Sequence, residues 1–188
     1  MVIVQTVRAV LQRTPPELKR KLGYVAAGAV GLILFASLGF SADEPQFAFR
    51  GMYVMDGLAL FFKRFFLLAA LLVLLLSVEF ADRIEAGIAE FYALILFALS
   101  GMMMAASAND FSLLFVSVEL ITVAFYILTS FQRRHLASLE AGVKYLILGG
   151  LSSAFLVYGI ALIFGTTGKL NFTELAAVAP DFTNHSLF

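Results

Sequence analysis

The 188-residue sequence contains no cysteine and no tryptophan, and it has only two histidines. Without cysteine, the chain cannot form a disulfide or provide thiolates to a zinc ion or an iron–sulfur cluster. The histidines, His135 and His185, lie outside the long apolar segments, and two such residues do not favour a metal site. We therefore expect no metal or cofactor on this chain, and we expect any redox chemistry to take place on another chain.

Charged residues are also scarce, at 14% of the chain, and the net charge is zero. The sequence has no glycine-rich phosphate loop after a strand, no Ser-His-Asp arrangement and no DNA-reading motif. Proteins that bind nucleic acids usually carry a basic excess, which this composition lacks. A nucleic-acid partner is therefore not expected.

Apolar residues make up 61% of the chain, and they are gathered in long runs between short charged clusters. This pattern is typical of a polytopic membrane protein. A helix needs roughly 20 apolar residues to cross the hydrocarbon core of a bilayer. The sequence therefore predicts an all-α transmembrane helix bundle with no β-sheet and about five spans, at residues 22–40, 57–80, 90–106, 111–131 and 139–165.

The segments outside the bundle at 22–165 predict its orientation. Residues 1–21 are basic, and the short loop at 132–138 is also basic and follows an even number of crossings. Cytoplasmic loops are enriched in Lys and Arg. We therefore place the N-terminus in the cytoplasm, the tail at 166–188 outside the cytoplasm, and the bundle in a lipid bilayer.

Three local features concern the ends of the spans. Pro15 and Pro16 are expected to break any helix before span one, because proline lacks the backbone N–H that a helix interior needs. Lys63 and Arg64, near the start of span two, are expected to extend their charged ends to the membrane surface. Ser138 is a plausible N-cap for span five.

Span four carries one carboxylate, Glu119, near the middle of an otherwise apolar helix. Placing a charged residue there costs about 2.5–3.5 kcal/mol on insertion scales. At 100° per residue, four hydroxyl-bearing residues of the span fall on or beside the same stripe as Glu119; they are Ser112, Thr122, Tyr126 and Ser130. Glu119 is then either a structural acid bonded to a neighbouring helix or, as is usual for such residues, a protonatable site on an ion path.

Span five carries a second candidate, Lys144, with Glu140 four residues earlier on the same helical face. This spacing favours an ion pair, and Lys144 is then an interfacial residue. The alternative is that Lys144 exchanges protons with Glu119 through Tyr126, other hydroxyl groups and water. The helix rise places Lys144 and Glu119 about 10 Å apart in depth, so water would have to connect them.

Two long stretches resemble a known family. They read AEFYALILFALSGMMMAASANDFSLLFVSVELITVAFYILTSF and LEAGVKYLILGGLSSAFLVYGIALIFGTTGKLNFTEL. The first, with its VEL segment, is similar to the antiporter-like membrane subunits of respiratory NADH:quinone oxidoreductase (complex I). The run KYLILGGLSSAFLVYGIALIFG in the second resembles subunit N more specifically.

The resemblance implies a proton-translocating role, with Glu119 and Lys144 matching an intramembrane glutamate and a lysine of the family. It implies that flavin, iron–sulfur clusters and quinone are bound by other subunits. Neighbouring antiporter-like and small membrane subunits would then be partners. Family members are longer and contain inverted repeats, so the five spans would be the N-terminal part of such a subunit.

Two other functions stay open from the sequence. The first is a cation/proton antiporter subunit of the same superfamily. The second is a non-catalytic membrane scaffold or assembly module that kept the fold and lost the pump. The costly Glu119 argues against the scaffold, because mutation should have removed an intramembrane charge that has no role.

Overall fold

Five long helices follow one another along the chain in a computed structural model, which describes residues 16–42, 44–81, 84 and 87–178. Each is long and apolar enough to cross a membrane, so the chain is an integral membrane protein. A short helix follows the last of them. In chain order the six helices are α1 Pro16–Leu38, α2 Gly57–Phe80, α3 Ile88–Ala105, α4 Phe111–Thr129, α5 Leu136–Thr167 and α6 Phe172–Val178. The predicted helical bundle with five spans is confirmed.

The prediction of no β-sheet was wrong. Two strands, β1 Gln46–Ala48 and β2 Tyr53–Met55, form an antiparallel hairpin between α1 and α2. Each strand has three residues, which is too short for an alternating pattern to be recognised in the sequence. The hairpin turn runs through a 3₁₀ turn at Phe49–Gly51, where Gly51 has a φ of 84° that glycine adopts without steric cost.

Several helix ends differ from the prediction. Helix α1 begins at Pro16 rather than at residue 22, because a proline in the first turn has no N–H to leave unbonded and its fixed φ suits a helix. Helix α5 begins at Leu136, with His135 and not Ser138 at the N-cap position. Ser138 instead donates a hydrogen bond to the carbonyl oxygen of Thr129, at 2.9 Å, across the α4–α5 connection.

Aspartates cap the two helices that follow the hairpin and the α3–α4 turn. Asp56 accepts a hydrogen bond from the backbone N–H of Ala59, and Asp110 accepts one from Ser112, each at 2.7 Å. These bonds satisfy donors that would otherwise be unpaired at the start of α2 and α4.

The apolar core lies between α1, α2 and α3. Small residues on α1 permit close packing, since a side chain at Gly23 would collide with Val78 and Tyr92, and Ala27 is buried. Leu67 and Leu74 of α2 are completely enclosed by these neighbours. The centre of the fold is therefore the first three helices.

Helix α4 packs on α3, and α5 packs on α4 at the edge of the bundle. Gly101 of α3 touches the backbone of α4, where an added Cβ would lie 2.9 Å from the carbonyl oxygen of Ser117. Helix α5, in contrast, buries only Gly142 among its residues. Most of α5 is therefore exposed in this chain.

Three connections meet at one end of the bundle, which we call the hairpin end: the hairpin, the α3–α4 turn and the segment after α5. Isolated bridges join Tyr53 to Ala108 and Asp110 to Asn171. The side-chain amides of Asn109 and Asn171 both donate to the carbonyl oxygen of Gly51, at 2.9 and 3.0 Å. These bonds hold the three connections together at the hairpin end.

Some predictions fall on residues outside the described part of the chain. They concern residues 1–15 and residues 179–188, which include His185.

Candidate functional site

Glu119 lies on the face of α4 that packs against α5. Its Oε1 accepts a hydrogen bond from the hydroxyl group of Ser153, which projects from α5. Both residues are partly buried between the two helices. The intramembrane carboxylate therefore has a specific partner from another helix, and its hydrogen-bonded environment is built by two spans.

Glu119 also lines an open groove of about 530 Å³ along the α4–α5 edge. Most of the lining is apolar or small, and the polar side chains in it are those of Glu119, Ser153 and Tyr158. The complete lining is Phe115, Glu119, Gly150, Ser153, Ala154, Val157, Tyr158 and Ala161. One carboxylate thus faces a groove that offers few other polar groups.

The predicted polar stripe of α4 is not a continuous chain of side-chain hydrogen bonds to Glu119. Thr122 donates to the backbone carbonyl oxygen of Glu119 at 3.1 Å, and Ser130 donates to that of Tyr126 at 3.0 Å. Ser112 lies at the hairpin end, where its N–H donates to Asp110. The hydroxyl groups of Thr122 and Ser130 thus bond to their own helix.

Tyr126 is the stripe residue that reaches α5. Its ring packs edge-to-face on Tyr145, with the ring centroids 5.0 Å apart, and its hydroxyl group touches Gly149. That hydroxyl is buried and has no hydrogen-bond partner among the described residues. A side chain at Gly149 would collide with it, so Gly149 is a packing position within an α5 that stays continuous.

Lys144 is separated from this site. It forms an ion pair with Glu140 at 2.5 Å, and the two side chains are 70% and 66% exposed. Ser153 lies nine residues farther along α5, which corresponds to about 13 Å of helix. The geometry thus matches the ion-pair interpretation and does not bring Lys144 next to Glu119.

The part of the chain that the structure describes has no cluster of side chains suited to binding a metal ion. No group of three or more His, Cys, Asp or Glu residues is placed there to hold a metal ion.

Comparison with known proteins gives consistent matches along the chain. NADH-quinone oxidoreductase subunit N from Rhodospirillum rubrum is 43% identical over 152 residues, which cover 81% of this chain and 31% of the relative. Subunit N from Heliobacterium modesticaldum is 40% identical over 159 residues, 84% of this chain and 33% of the relative. This chain is a homologue of NADH-quinone oxidoreductase subunit N. It spans about a third of the length of these curated relatives.

The family described as NADH:quinone oxidoreductase/Mrp antiporter, TM, matches residues 108–188 of this chain. A chain of respiratory complex I from Thermus thermophilus superposes with a TM-score of 0.66 at 32% identity, covering 90% of this chain and 36% of that one. A chain of the archaeal membrane-bound sulfane sulfur reductase has a TM-score of 0.60 at 23% identity, covering 89% and 40%. The second match supports the fold alone.

The sequence interpretation missed one residue of the candidate site in this chain, Ser153. Helices α4 and α5 are antiparallel, so residues at equal distances from their connection lie at similar depth. Glu119 and Ser153 each lie 17 residues from Leu136, which begins α5. Reflecting Glu119 about the centre of the predicted loop at 132–138 leads to Leu151, two residues from Ser153. Comparing the distances of residues from the loop on the two helices would therefore have pointed to the region of Ser153.

Proposed function

We propose that this chain forms part of a proton-translocating membrane subunit of NADH:quinone oxidoreductase, in which Glu119 is a protonatable group on the proton path. The observation that carries the proposal is a carboxylate inside a membrane span, bonded to Ser153 of the next span and open to a groove. Intramembrane ionisable residues usually mark ion paths. The identity to subunit N over most of this chain supports the same role.

Glu119 and Ser153 together permit a simple proton-binding step. An ionised Glu119 accepts the hydrogen bond from Ser153. A protonated Glu119 is neutral and carries its proton into a groove that is otherwise mostly apolar. Proton uptake and release by this carboxyl group would therefore change the charge of the groove and the orientation of the Ser153 hydroxyl.

Quinone reduction with flavin and iron–sulfur clusters would take place in other subunits, and this chain would respond to it. The exposed face of α5 leaves room for membrane partners, namely neighbouring antiporter-like and small membrane subunits, and for lipid. We place the chain in a bacterial inner membrane with the N-terminus and the loop carrying Arg133 and Arg134 in the cytoplasm. Lys144 would exchange protons with Glu119 only through water, because the two side chains are not in contact.

The test is Glu119→Gln in the full-length subunit within the assembled, vesicle-reconstituted complex. Glutamine keeps the shape of the side chain and can accept from Ser153, but it does not bind and release a proton. We expect fewer protons moved per NADH oxidised, with little loss of assembled complex. Glu140→Gln is the matched control, because Glu140 is an exposed carboxylate of the same chain.

Ser153→Ala separates a proton-binding role of Glu119 from a structural one. If Glu119 binds protons, removing the Ser153 hydrogen bond should shift the pH profile of proton movement while assembly stays intact. If Glu119 only holds the helices together, both Glu119→Ala and Ser153→Ala should reduce assembly and leave the protons moved per assembled complex unchanged. Normal proton movement in Glu119→Gln contradicts the proposal.

A cation/proton antiporter subunit is the second candidate, because the family description that matches residues 108–188 also includes Mrp antiporters. The two functions differ in their driving force. Proton movement that requires Na⁺ and continues without NADH would favour the antiporter. A membrane scaffold, in turn, predicts normal ion movement in all Glu119 variants.

A further inference from the structure

Lys63 is a buried cation that the functional site described above does not use. It lies on α2, six residues after the helix begins, which is about 9 Å along the axis. Only 6% of the residue is exposed. The sequence predicted that its ammonium group extends to the membrane surface, but the hairpin covers it instead.

The ammonium group of Lys63 contacts the hairpin through neutral groups. Its Nζ donates to the hydroxyl group of Tyr53 at 2.5 Å and to the sulfur of Met55 at 3.1 Å. It also lies 4.7 Å from the centre of the Tyr53 ring. Among the described residues, Lys63 forms no ion pair with a carboxylate.

The other charged groups around Lys63 have partners of their own or, like Arg50 of the hairpin, are exposed. Asp56 and Asp110, the carboxylates of the adjoining connections, cap α2 and α4. Arg64, the next residue of α2, donates to the carbonyl oxygens of Ser37 and Phe40 at the end of α1, each at 2.6 Å. The described residues at the hairpin ends of α1 and α3, from Ser37 to Leu38 and from Met102 to Ala105, are not ionisable.

Burying an ammonium group without a carboxylate partner costs free energy, because a low-dielectric interior solvates a net charge poorly. The pair of Lys63 and Tyr53 becomes neutral overall when the phenol loses its proton to form a phenolate beside the ammonium group. It carries one positive charge when that proton is present. The 2.5 Å contact therefore joins two proton-bearing groups whose total charge depends on a single proton.

We propose that Lys63 and Tyr53 form a second proton-binding site, located at the hairpin end of α2 and separate from Glu119. The ligand is a proton, held on the Tyr53 oxygen beside the Lys63 ammonium group. The site connects the hairpin to α2, and Ser107 of the α3–α4 turn, which is completely buried, adjoins it. Binding of the proton changes the charge under the hairpin by one unit.

The electrostatics of Tyr53 agree with this assignment. Burial raises the pKa of the phenol, but the hydrogen bond from Lys63, the adjoining Ser107 side chain and the charge of Lys63 outweigh burial and lower the pKa below its usual value. Lys63 supplies two of the causes that lower this pKa, namely a hydrogen bond and a positive charge. Removing the ammonium group is therefore the change that should raise the pKa.

The experiment is a tyrosinate absorbance titration of the full-length subunit, with the Tyr53→Phe curve subtracted to isolate one phenol. We expect the Tyr53 midpoint to lie below that of free tyrosine. Lys63→Met should raise it, and Lys63→Arg, which keeps the positive charge, should leave it lowered. Lys144→Met is the matched control and should not move it, because Lys144 is exposed and pairs with Glu140.

A wild-type Tyr53 that titrates like free tyrosine would overturn the proposal, whether or not the Lys63 variants fold. A lowered midpoint that Lys63→Met leaves unchanged would also overturn it, since the proton would then not be shared with Lys63. Neither result depends on proton pumping, so the outcome is independent of the role proposed for Glu119.

Discussion

The hairpin end and the α4–α5 edge place the same type of side chain in opposite surroundings. Lys63 is buried beneath the hairpin and bound by Tyr53 and Met55, whereas Lys144 is exposed and paired with Glu140. Both lie in the first few turns of an apolar helix, so their local sequences look alike. The difference arises because a folded connection covers the start of α2, while no described segment covers the start of α5 in the same way.

The same contrast applies to whole helices. Helix α2 buries seven residues among its neighbours, whereas α5 buries one, although α5 is the longer helix. An apolar residue exposed to lipid is not unfavourable, so exposure does not reduce the stability of α5 in a membrane. The edge therefore remains available for lipid or partner subunits, and the buried apolar core is concentrated in the first three helices.

The largest effect is expected from overpacking the tight contact between α3 and α4, compared with the same substitution on the exposed helix α5. Gly101→Leu inserts a side chain where even a Cβ would lie 2.9 Å from the Ser117 carbonyl oxygen. We expect it to lower the free energy of unfolding by about 1–3 kcal/mol, the usual cost of overpacking. The measurement is denaturant unfolding in detergent micelles.

Gly159→Leu is the control for this test, because no atom lies within 4 Å of a Cβ built at Gly159. We expect no loss of stability there, because glycine in a helix interior is disfavoured by roughly 0.5–1 kcal/mol relative to alanine. Equal destabilisation by the two variants would contradict the distinction between a packed centre and an open edge.

An intermediate effect is expected at the hairpin end. Asn171→Ala removes the amide that donates to the carbonyl oxygen of Gly51 at 3.0 Å. A hydrogen bond of this kind contributes about 0.5–1.5 kcal/mol, so amide hydrogen exchange in the hairpin should become about two- to tenfold faster.

Thr166→Ala serves as the comparison for Asn171, since the Thr166 hydroxyl group bonds only to the carbonyl groups of its own helix. Exchange in the hairpin should be the same in Thr166→Ala as in the unmodified chain. Unchanged hairpin exchange in Asn171→Ala would mean that the three connections are not coupled.

The smallest effect is expected for Lys144→Gln. An exposed ion pair four residues apart on a helix contributes about 0.3–0.5 kcal/mol, and salt weakens it. We expect a loss of stability of that size at low salt and almost none at high salt, measured by unfolding in micelles. A large loss that persists at high salt would show that Lys144 has a buried partner.

Much of the fold was predictable because it depends on composition. The five spans follow from long apolar runs, and the aspartate caps at Asp56 and Asp110 follow from local chemistry. The hairpin was missed because its strands are only three residues long and are fixed by contacts with Asn109 and Asn171 from distant segments.

The candidate site was predictable in part. Glu119 stands out because a single carboxylate interrupts an apolar span, but its partner Ser153 depends on the register of two antiparallel helices. The burial of Lys63 was not predictable from α2, since Tyr53 and the hairpin create it. The roles of Glu119, Lys144 and the polar stripe stay predictions, and the experiments above test those of Glu119 and Lys144.

The sequence by itself determined that this chain crosses a membrane, where the spans lie, and that one of them carries an acid near its middle, because each of these depends on the polarity of consecutive residues. Only the tertiary structure decided which polar groups meet. It paired Glu119 with Ser153, enclosed Lys63 with Tyr53 and left Lys144 at the surface. The physical reason is that hydrogen bonds and burial depend on distances between helices, which side-chain packing sets across segments far apart in the chain.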